Sequence, residues 1–434
     1  MLLAMLVFSS TAFAGGLVTN TNLSAAWART LARTGAYGID ATYFNPAGLT
    51  LLGNGFHLSF SNQSIMQTQS ITNDYPYLNG SPVTYEGDLQ SLVFPAVYGV
   101  FRMNKLAISA GINVIGGGGS ADYRSGLPSF EIPVASVVPQ LQGILTPIDQ
   151  AIAANTGNDP MFRNISGYEL NAAFKGSSIY MGYQANISYA LNDMVSVSLG
   201  GRYVTANNSY AGSLSDVMVH APEAYGGTQA PGDYLRVVAG TPGLDPTTQA
   251  TLQGTAAVFD AGTADKNLEA NQTGSGITPV IGINIHMGDL LNVGLRYEHS
   301  TRIELKNETV VDDVGMFPDG AVSRADLPAM FALGAQVQPL EKLTISGNYS
   351  YYFDRGAYYG NYETDTYGIP VMAEDGISFV QVNNESTIDK NTWELAMSLE
   401  YRLKSNFGLS AGYSMGSVGV NDDYQSDLGF SLDR

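Results

Sequence analysis

The feature that most constrains this chain is a strict alternation of apolar and polar residues, held over segments much longer than an ordinary strand. From Trp393 one face carries Trp393, Leu395, Met397, Leu399, Tyr401 and Leu403, and the other carries Glu394, Ala396, Ser398, Glu400, Arg402 and Lys404. A helix, with a repeat of about 3.6 residues, cannot produce that pattern. Over 291–306, Val293, Leu295, Tyr297, Thr301, Ile303 and Leu305 alternate with Asn292, Gly294, Arg296, Glu298, Ser300, Arg302, Glu304 and Lys306, which predicts one unbroken strand with a single apolar face. The theme recurs at Ile179 to Tyr189, Val195 to Tyr203, Leu343 to Phe353 and Phe407 to Tyr413. In all, about eleven strands are expected, near 55–71, 91–102, 105–115, 178–191, 194–205, 277–286, 291–306, 329–338, 342–353, 392–403 and 406–415.

Two sheet architectures compete for such segments. A soluble sandwich has one wet face, but its strands usually run about 5 or 6 residues, against about 10 to 15 here, and Tyr and Phe cluster at the strand ends like an interfacial girdle. Only 14% of the residues are charged, below the roughly 25% of soluble proteins. The N-terminus decides between them. Leu2 to Phe8 is a short apolar run followed by the small-x-small triplet Ala12-Phe13-Ala14, which reads as a secretory signal over 1–14. No later stretch has the about 18 uninterrupted apolar residues a membrane helix needs. A bilayer leaves no water for backbone groups, so a sheet spans it only as a closed barrel. The expectation is an all-β, antiparallel transmembrane barrel in the outer membrane of a Gram-negative bacterium.

Tight connections at Asn104, Asn192-Asp193, Gly288-Asp289 and Ser405-Asn406 suit periplasmic turns, and the excursions 116–177, 206–276, 307–328 and 354–391 suit extracellular loops. Inside the first, Val137, Leu141, Leu145, Ile148 and Ile152 keep helical spacing over 134–155. That oily stripe either packs against a neighbouring loop or adds a lipid-binding groove between the two, with Val137, Leu141, Leu145 and Ile148 as its substrate-binding residues. Residues 15–54 do not alternate. Short turns broken by Gly and Pro, with Trp27, Phe44 and the run Leu49 to Leu52, fit a plug inside the barrel better than a disordered tail. The barrel itself is assigned to 55–434.

With Asn45-Pro46-Ala47 just ahead of the first strand, Leu127-Pro128-Ser129-Phe130-Glu131, Val293-Gly294-Leu295-Arg296-Tyr297 and Asp326-Leu327-Pro328, the chain resembles the FadL/TodX family of outer-membrane channels for hydrophobic compounds. The resemblance implies about fourteen strands, an N-terminal hatch containing Asn45, Pro46, Ala47 and Gly48, and helical outer loops. It further implies passive transport of hydrophobic molecules, long-chain fatty acids or aromatic hydrocarbons, by capture in those loops, hatch movement and lateral exit through the wall. Gly116, Gly117, Gly118 and Gly119 fall where the family kinks its third strand, and are the expected gate; a flexible loop entrance is the competing reading. The chain stops at Leu432-Asp433-Arg434 soon after the start of what reads as a further strand, so it is expected to be a fragment lacking about three closing strands, with 406–434 as an unclosed edge.

The rest of the sequence narrows the alternatives. A net charge of -19 opposes nucleic-acid binding. There is no Cys, and His57, His220, His286 and His299 do not stand at metal-ligand spacing. No nucleophile elbow or phosphate loop accompanies the Gly run, so no enzyme, metal or cofactor is expected. The expected partners are a hydrophobic small molecule and the lipid and lipopolysaccharide of the outer membrane, with the protein acting as a monomer. A general porin, a haem or other lipid receptor on the same barrel, and a non-transporting adhesin or lipid-hydrolysing barrel remain as alternatives.

Overall fold

The computed structural model describes residues 24–358, 371–376, 380, 388–404, 406–421 and 427. The signal at 1–14, the first part of the N-terminal segment and much of the loop at 354–391 lie outside the described residues.

Strands β1 (Gly55–Asn73), β2 (Val83–Met103), β3 (Leu106–Tyr123), β4 (Tyr168–Ala190), β5 (Val195–His220) and β6 (Thr228–Gln229) make up the first half of the fold. They are followed by β7 (Lys266–Met287), β8 (Leu291–Glu298), β9 (Glu304–Asp312), β10 (Val322–Arg324), β11 (Met330–Leu340), β12 (Leu343–Tyr352), β13 (Trp393–Lys404) and β14 (Phe407–Ser417). All belong to one antiparallel sheet with the order β1-β2-β3-β4-β5-β7-β8-β11-β12-β13-β14, while β9 pairs β7, β10 pairs β9 and β6 pairs β5. Apart from β6, β9 and β10, each strand pairs with the next along the chain, as tight hairpins require. Asn104 takes a left-handed φ of 54° and Gly288 one of 58°, and the Asn192 carboxamide accepts from the amides of Met194 and Val195, both at 2.8 Å.

The alternation maps directly onto the two faces. In β4, Ile179, Tyr183, Ile187 and Tyr189 are exposed, whereas Tyr180, Gln184, Asn186 and Ser188 are buried. Leu199 and Tyr203 of β5, Ile281 and Ile283 of β7, Phe331 and Leu333 of β11 and Leu395, Met397 and Leu399 of β13 continue the outer belt. So much exposed apolar side chain is untenable in water and is the surface a lipid-facing barrel wall needs. No helix among the described residues is long and apolar enough to cross a membrane, which says nothing against crossing by strands.

Two features differ from the sequence expectation. The strands run further outward than the alternation indicated, so β3 to β5 and β7 occupy parts of 116–177 and 206–276 read as loops. Beyond the lipid the outer face no longer has to be apolar, as Asn207, Ser209 and Ser213 of β5 illustrate, yet the backbone ladder with β7 continues to Leu214. The second difference concerns 291–306, which is not one strand. It breaks between β8 and β9, and the break reverses the faces: Tyr297 of β8 points outward, but Ile303 and Leu305 are 0% and 5% exposed and point inward. Gly274 and Gly276 of β7 leave room for this crossing, since a Cβ on either would lie 2.5 Å from the carbonyl of Glu304 or Arg302.

Helices come from two parts of the chain. Helix α1 (Ala25–Arg29), α2 (Ala41–Phe44) and a 3-10 turn at Pro46–Leu51 belong to the N-terminal segment, and α3 (Pro128–Ala135), α4 (Val137–Thr156), α5 (Pro231–Ala239) and α6 (Pro246–Thr263) belong to the loops.

Candidate functional site

The N-terminal segment lies inside the curled sheet, and the inward polar residues of the wall hold it there. Gln184 and Asn186 donate to the Thr42 carbonyl at 2.8 and 3.0 Å, and Ser188 donates to that of Pro46 at 2.7 Å. Ser196 reaches the Ala47 carbonyl at 2.8 Å, Asn292 that of Gly35 at 2.7 Å and Arg296 that of Tyr43 at 2.8 Å. From the segment, the Asn45 amide donates to the Ile283 carbonyl at 3.1 Å. On the far side, the amides of Ala32 and Thr34 donate to Ser398 and Asn348, both at 3.2 Å. Strands β4, β5, β7, β8, β12 and β13 thus all grip it. Short helices broken by Gly and Pro leave many carbonyls without internal partners, and the wall supplies the missing donors. Contact is close because Gly294 and Gly334 have no side chains; a Cβ there would lie 1.9 Å from the Thr34 carbonyl oxygen or 2.4 Å from the Gly35 nitrogen.

A buried charge cluster sits against the segment. Arg202 makes a bidentate pair with Glu298 at 2.6 and 3.0 Å, Arg296 approaches the same carboxylate at 3.5 Å, and their guanidinium carbons stand 4.5 and 5.1 Å from the centre of the Tyr43 ring. Two guanidiniums share one carboxylate, so the cluster keeps a surplus positive charge that the Tyr43 ring and carbonyl offset.

Outward from this floor the lumen is apolar in two layers. The inner layer joins Tyr43 and Phe44 to Ile115, Tyr180, Val204, Ala206, Ile303 and Leu305; the outer joins Leu127, Phe174, Tyr210, Leu268, Ala270 and Phe317. Beside the inner layer the wall is broken. Pairing of β2 with β3 runs to Ala96↔Asn113 and resumes only at Gln90↔Ser120, which leaves Ser91–Pro95 and Val114–Gly119 without cross-strand partners in one another. The kink follows from glycine: Gly117 and Gly119 both take φ 85°, and a Cβ would lie 2.0 Å from the Ser178 carbonyl oxygen or 2.5 Å from that of Gln90. On the other side of the segment is a polar cavity of about 420 Å³, lined among others by Arg29, Arg33, Asp40, Glu400 and Arg402.

Comparison with known proteins places this arrangement. The family model of outer membrane protein transport proteins (OMPP1/FadL/TodX) matches residues 5–426. The chain belongs to the FadL/TodX family. The structure of a FadL homologue from Pseudomonas aeruginosa is similar, with 13% identity, TM-score 0.56 and coverage of 95% of this chain and 83% of that one. The toluene transporter TodX of Pseudomonas putida is also similar, with 14% identity, TM-score 0.51 and coverage of 93% and 86%. At such identities these likenesses speak for the fold alone. No curated protein sequence matches the chain.

The residues singled out in this FadL/TodX sequence fall into three places. Asn45, Pro46, Ala47 and Gly48 are all buried against the wall in and beside the 3-10 turn. Gly116, Gly117, Gly118 and Gly119 lie within β3, at the break and not in a loop entrance. Val137, Leu141 and Leu145 are 0% exposed, and with Ile148 they pack on Tyr234, Leu235, Val238, Leu252 and Phe259 of α5 and α6. These side chains form the core that joins the two helical loops. Asp149 helps close the cap, accepting from the amides of Phe162 and Arg163 at 3.0 Å each and from the Arg163 guanidinium at 2.8 Å. Arg202 and Glu298 escape a reading of the sequence because their pairing joins β5 to the end of β8. The inward position of Ile303 and Leu305 depends on a crossing that alternation conceals.

Proposed function

We propose that this FadL/TodX protein is a passive outer-membrane importer of hydrophobic small molecules, with long-chain fatty acids and aromatic hydrocarbons as the leading substrates. Solute is captured at the helical extracellular cap, descends the apolar lumen to the N-terminal segment, which acts as a hatch over 15–54, and leaves sideways between β2 and β3. The observation that carries this reading is the broken ladder at Ser91–Pro95 and Val114–Gly119, set beside the apolar layer of Ile115, Val204 and Leu305. An oily solute gains nothing by entering the aqueous periplasm, whereas a gap at that level lets it pass from apolar lumen to lipid. A filled lumen floor counts against a general porin.

The test is uptake of labelled oleate and labelled toluene by cells making the complete protein, compared with cells carrying Gly117→Leu/Gly119→Leu or Ser91→Trp. Ser91 faces Gly119 across the break, with its Cβ 2.8 Å from the point where a Gly119 Cβ would stand. Ser91→Trp should keep heat-modifiable migration and surface binding while uptake falls to background, whereas Gly117→Leu/Gly119→Leu, whose side chains would meet backbone carbonyls, should distort the kink itself and lower barrel stability as well as uptake. Unchanged uptake in a correctly folded Ser91→Trp protein would remove the lateral route.

A further inference from the structure

A row of carboxamides crosses the lumen wall between the two apolar layers. Asn208 of β5 pairs directly with Gln272 of β7, and Gln272 with Asn307 of β9; in the other direction Asn208 pairs with Ser178 of β4, and Ser178 with Gly119 at the kink. One cross-strand row therefore runs from the amides to the edge of the wall break. Both Asn208 and Gln272 are 5% exposed and Asn307 is 1% exposed. Most of their hydrogen-bonding capacity is used. Gln272 donates to the Asn307 oxygen at 3.0 Å, Asn307 donates to the Pro318 carbonyl at 3.1 Å, and the Gln272 oxygen accepts from Asn208 at 3.3 Å and Tyr210 at 3.4 Å.

One acceptor in the row is left over. Asn208 Oδ1 is buried and accepts no hydrogen bond among the described residues, although the Tyr180 side chain meets the same carboxamide, and Asn113 Oδ1, whose residue is 0% exposed, likewise accepts none. Asn113 is the last β3 residue paired with β2 before the break. Two orphan carboxamide oxygens thus mark the row that leads to the gap and the rim of the gap itself. An unpaired buried acceptor is costly in apolar surroundings, and only an O–H or N–H donor relieves it; an ionised carboxylate has none to offer.

We infer that the lumen prefers a hydrophobic molecule carrying a neutral hydroxyl (an alcohol, a phenol or an un-ionised acid) whose O–H is taken by Asn208 as the apolar body lies against Val204, Ala206 and Leu305. This inference rests on the transport reading above and narrows its substrate class. Wild-type protein, complete and purified in detergent, is offered 1-dodecanol and its isomer methyl undecyl ether, which has the same heavy atoms and no donor, with retention read by native mass spectrometry. Dodecanol should be retained about tenfold more tightly than the ether, the worth of one hydrogen bond of about 1.4 kcal/mol. Asn208→Leu should bring dodecanol down to the level of the ether and leave the ether unchanged, and Asn208→Asp should keep the preference; Asn208→Val provides a second variant should the first not fold. Equal retention of both ligands by wild type, or a preference that survives Asn208→Leu, overturns the inference and leaves the transport reading standing. Retention of neither ligand overturns both.

Discussion

Replacing Arg296 with Met separates the seating of the N-terminal segment from barrel stability, because Arg296 is the surplus charge in the buried cluster. In the folded protein Arg202 already satisfies Glu298 through two contacts, at 2.6 and 3.0 Å, while Arg296 stands further off at 3.5 Å and gives its best hydrogen bond, 2.8 Å, to the Tyr43 carbonyl. Arg296→Met leaves one guanidinium paired with one carboxylate, so no buried charge is stranded. What is lost is a charge-assisted hydrogen bond, about 1.5–3 kcal/mol, and a cation–π contact of about 0.5–1 kcal/mol or more. The closed state of the N-terminal segment should weaken by about 2–4 kcal/mol, a shift of roughly 30- to 1000-fold in its opening equilibrium. The chain has 0 Cys, so a single Thr42→Cys reports on opening without background. Thr42 is 0% exposed and its hydroxyl makes no hydrogen bond among the described residues, which makes the swap mild. Maleimide labelling of Cys at 42 should accelerate at least tenfold in the Arg296→Met background, with heat-modifiable migration unchanged. Glu298→Gln should behave in the opposite way, since it leaves two guanidiniums buried without a carboxylate and costs the barrel about 3–5 kcal/mol. If Arg296→Met leaves the labelling rate unaltered, Arg296 does not hold the segment shut.

Other consequences follow from the cap and the wall. Leu141→Ala, at a 0% exposed position in the core of the helical loops, should destabilise the cap by about 2–5 kcal/mol and speed its external proteolysis without altering barrel migration. Tyr234 donates to the Phe162 carbonyl at 2.5 Å, and burial raises its phenol above the ordinary tyrosine range. A raised folded value means this contribution is whole below about pH 10 and fades as pH climbs toward the folded value, so cap protection should decline in strong alkali and Tyr234→Phe should flatten that dependence. Spin labels at Leu295 and Ile303, which share one alternating phase in the sequence, should diverge: the first relaxed by a lipid-dissolved agent, the second shielded.

Much of the wall is legible in the sequence because lipid enforces a period of two on one face of every strand. That pressure marks Leu199 and Tyr203, or Leu395 and Leu399, as outward residues from alternation alone. It fails in two circumstances. Past the membrane edge the constraint lapses, which is why the outer halves of β4, β5 and β7 resemble loops. Between Glu298 and Glu304 the chain leaves the strand ladders, and Ile303 and Leu305 beyond the break stand with their phase reversed; an apolar residue looks the same whether lipid or lumen awaits it. The inward polar residues mislead in a different way. Gln184, Asn186, Ser188 and Ser196 suggest a wet channel, yet their partners are the carbonyls of Thr42, Pro46 and Ala47. Only their distant pairing shows that a polar face is built for a backbone and not for water. The glycine run at 116–119 is visible as a bend, but its level relative to Ser91–Pro95 depends on register, which no single segment encodes.

Lateral release is tested most directly by cross-linking with a diazirine-bearing fatty acid on the complete, membrane-inserted protein, with adducts mapped by mass spectrometry in the presence and absence of excess oleate. Adducts that oleate suppresses should fall on the two banks of the break, Ser91–Pro95 and Val114–Gly119, and on the apolar lumen residues beside them. Suppressible adducts concentrated instead around Arg29, Arg33 and Glu400, in the polar cavity on the other side of the N-terminal segment, would mean that solute passes through the floor, and the sideways route would be wrong.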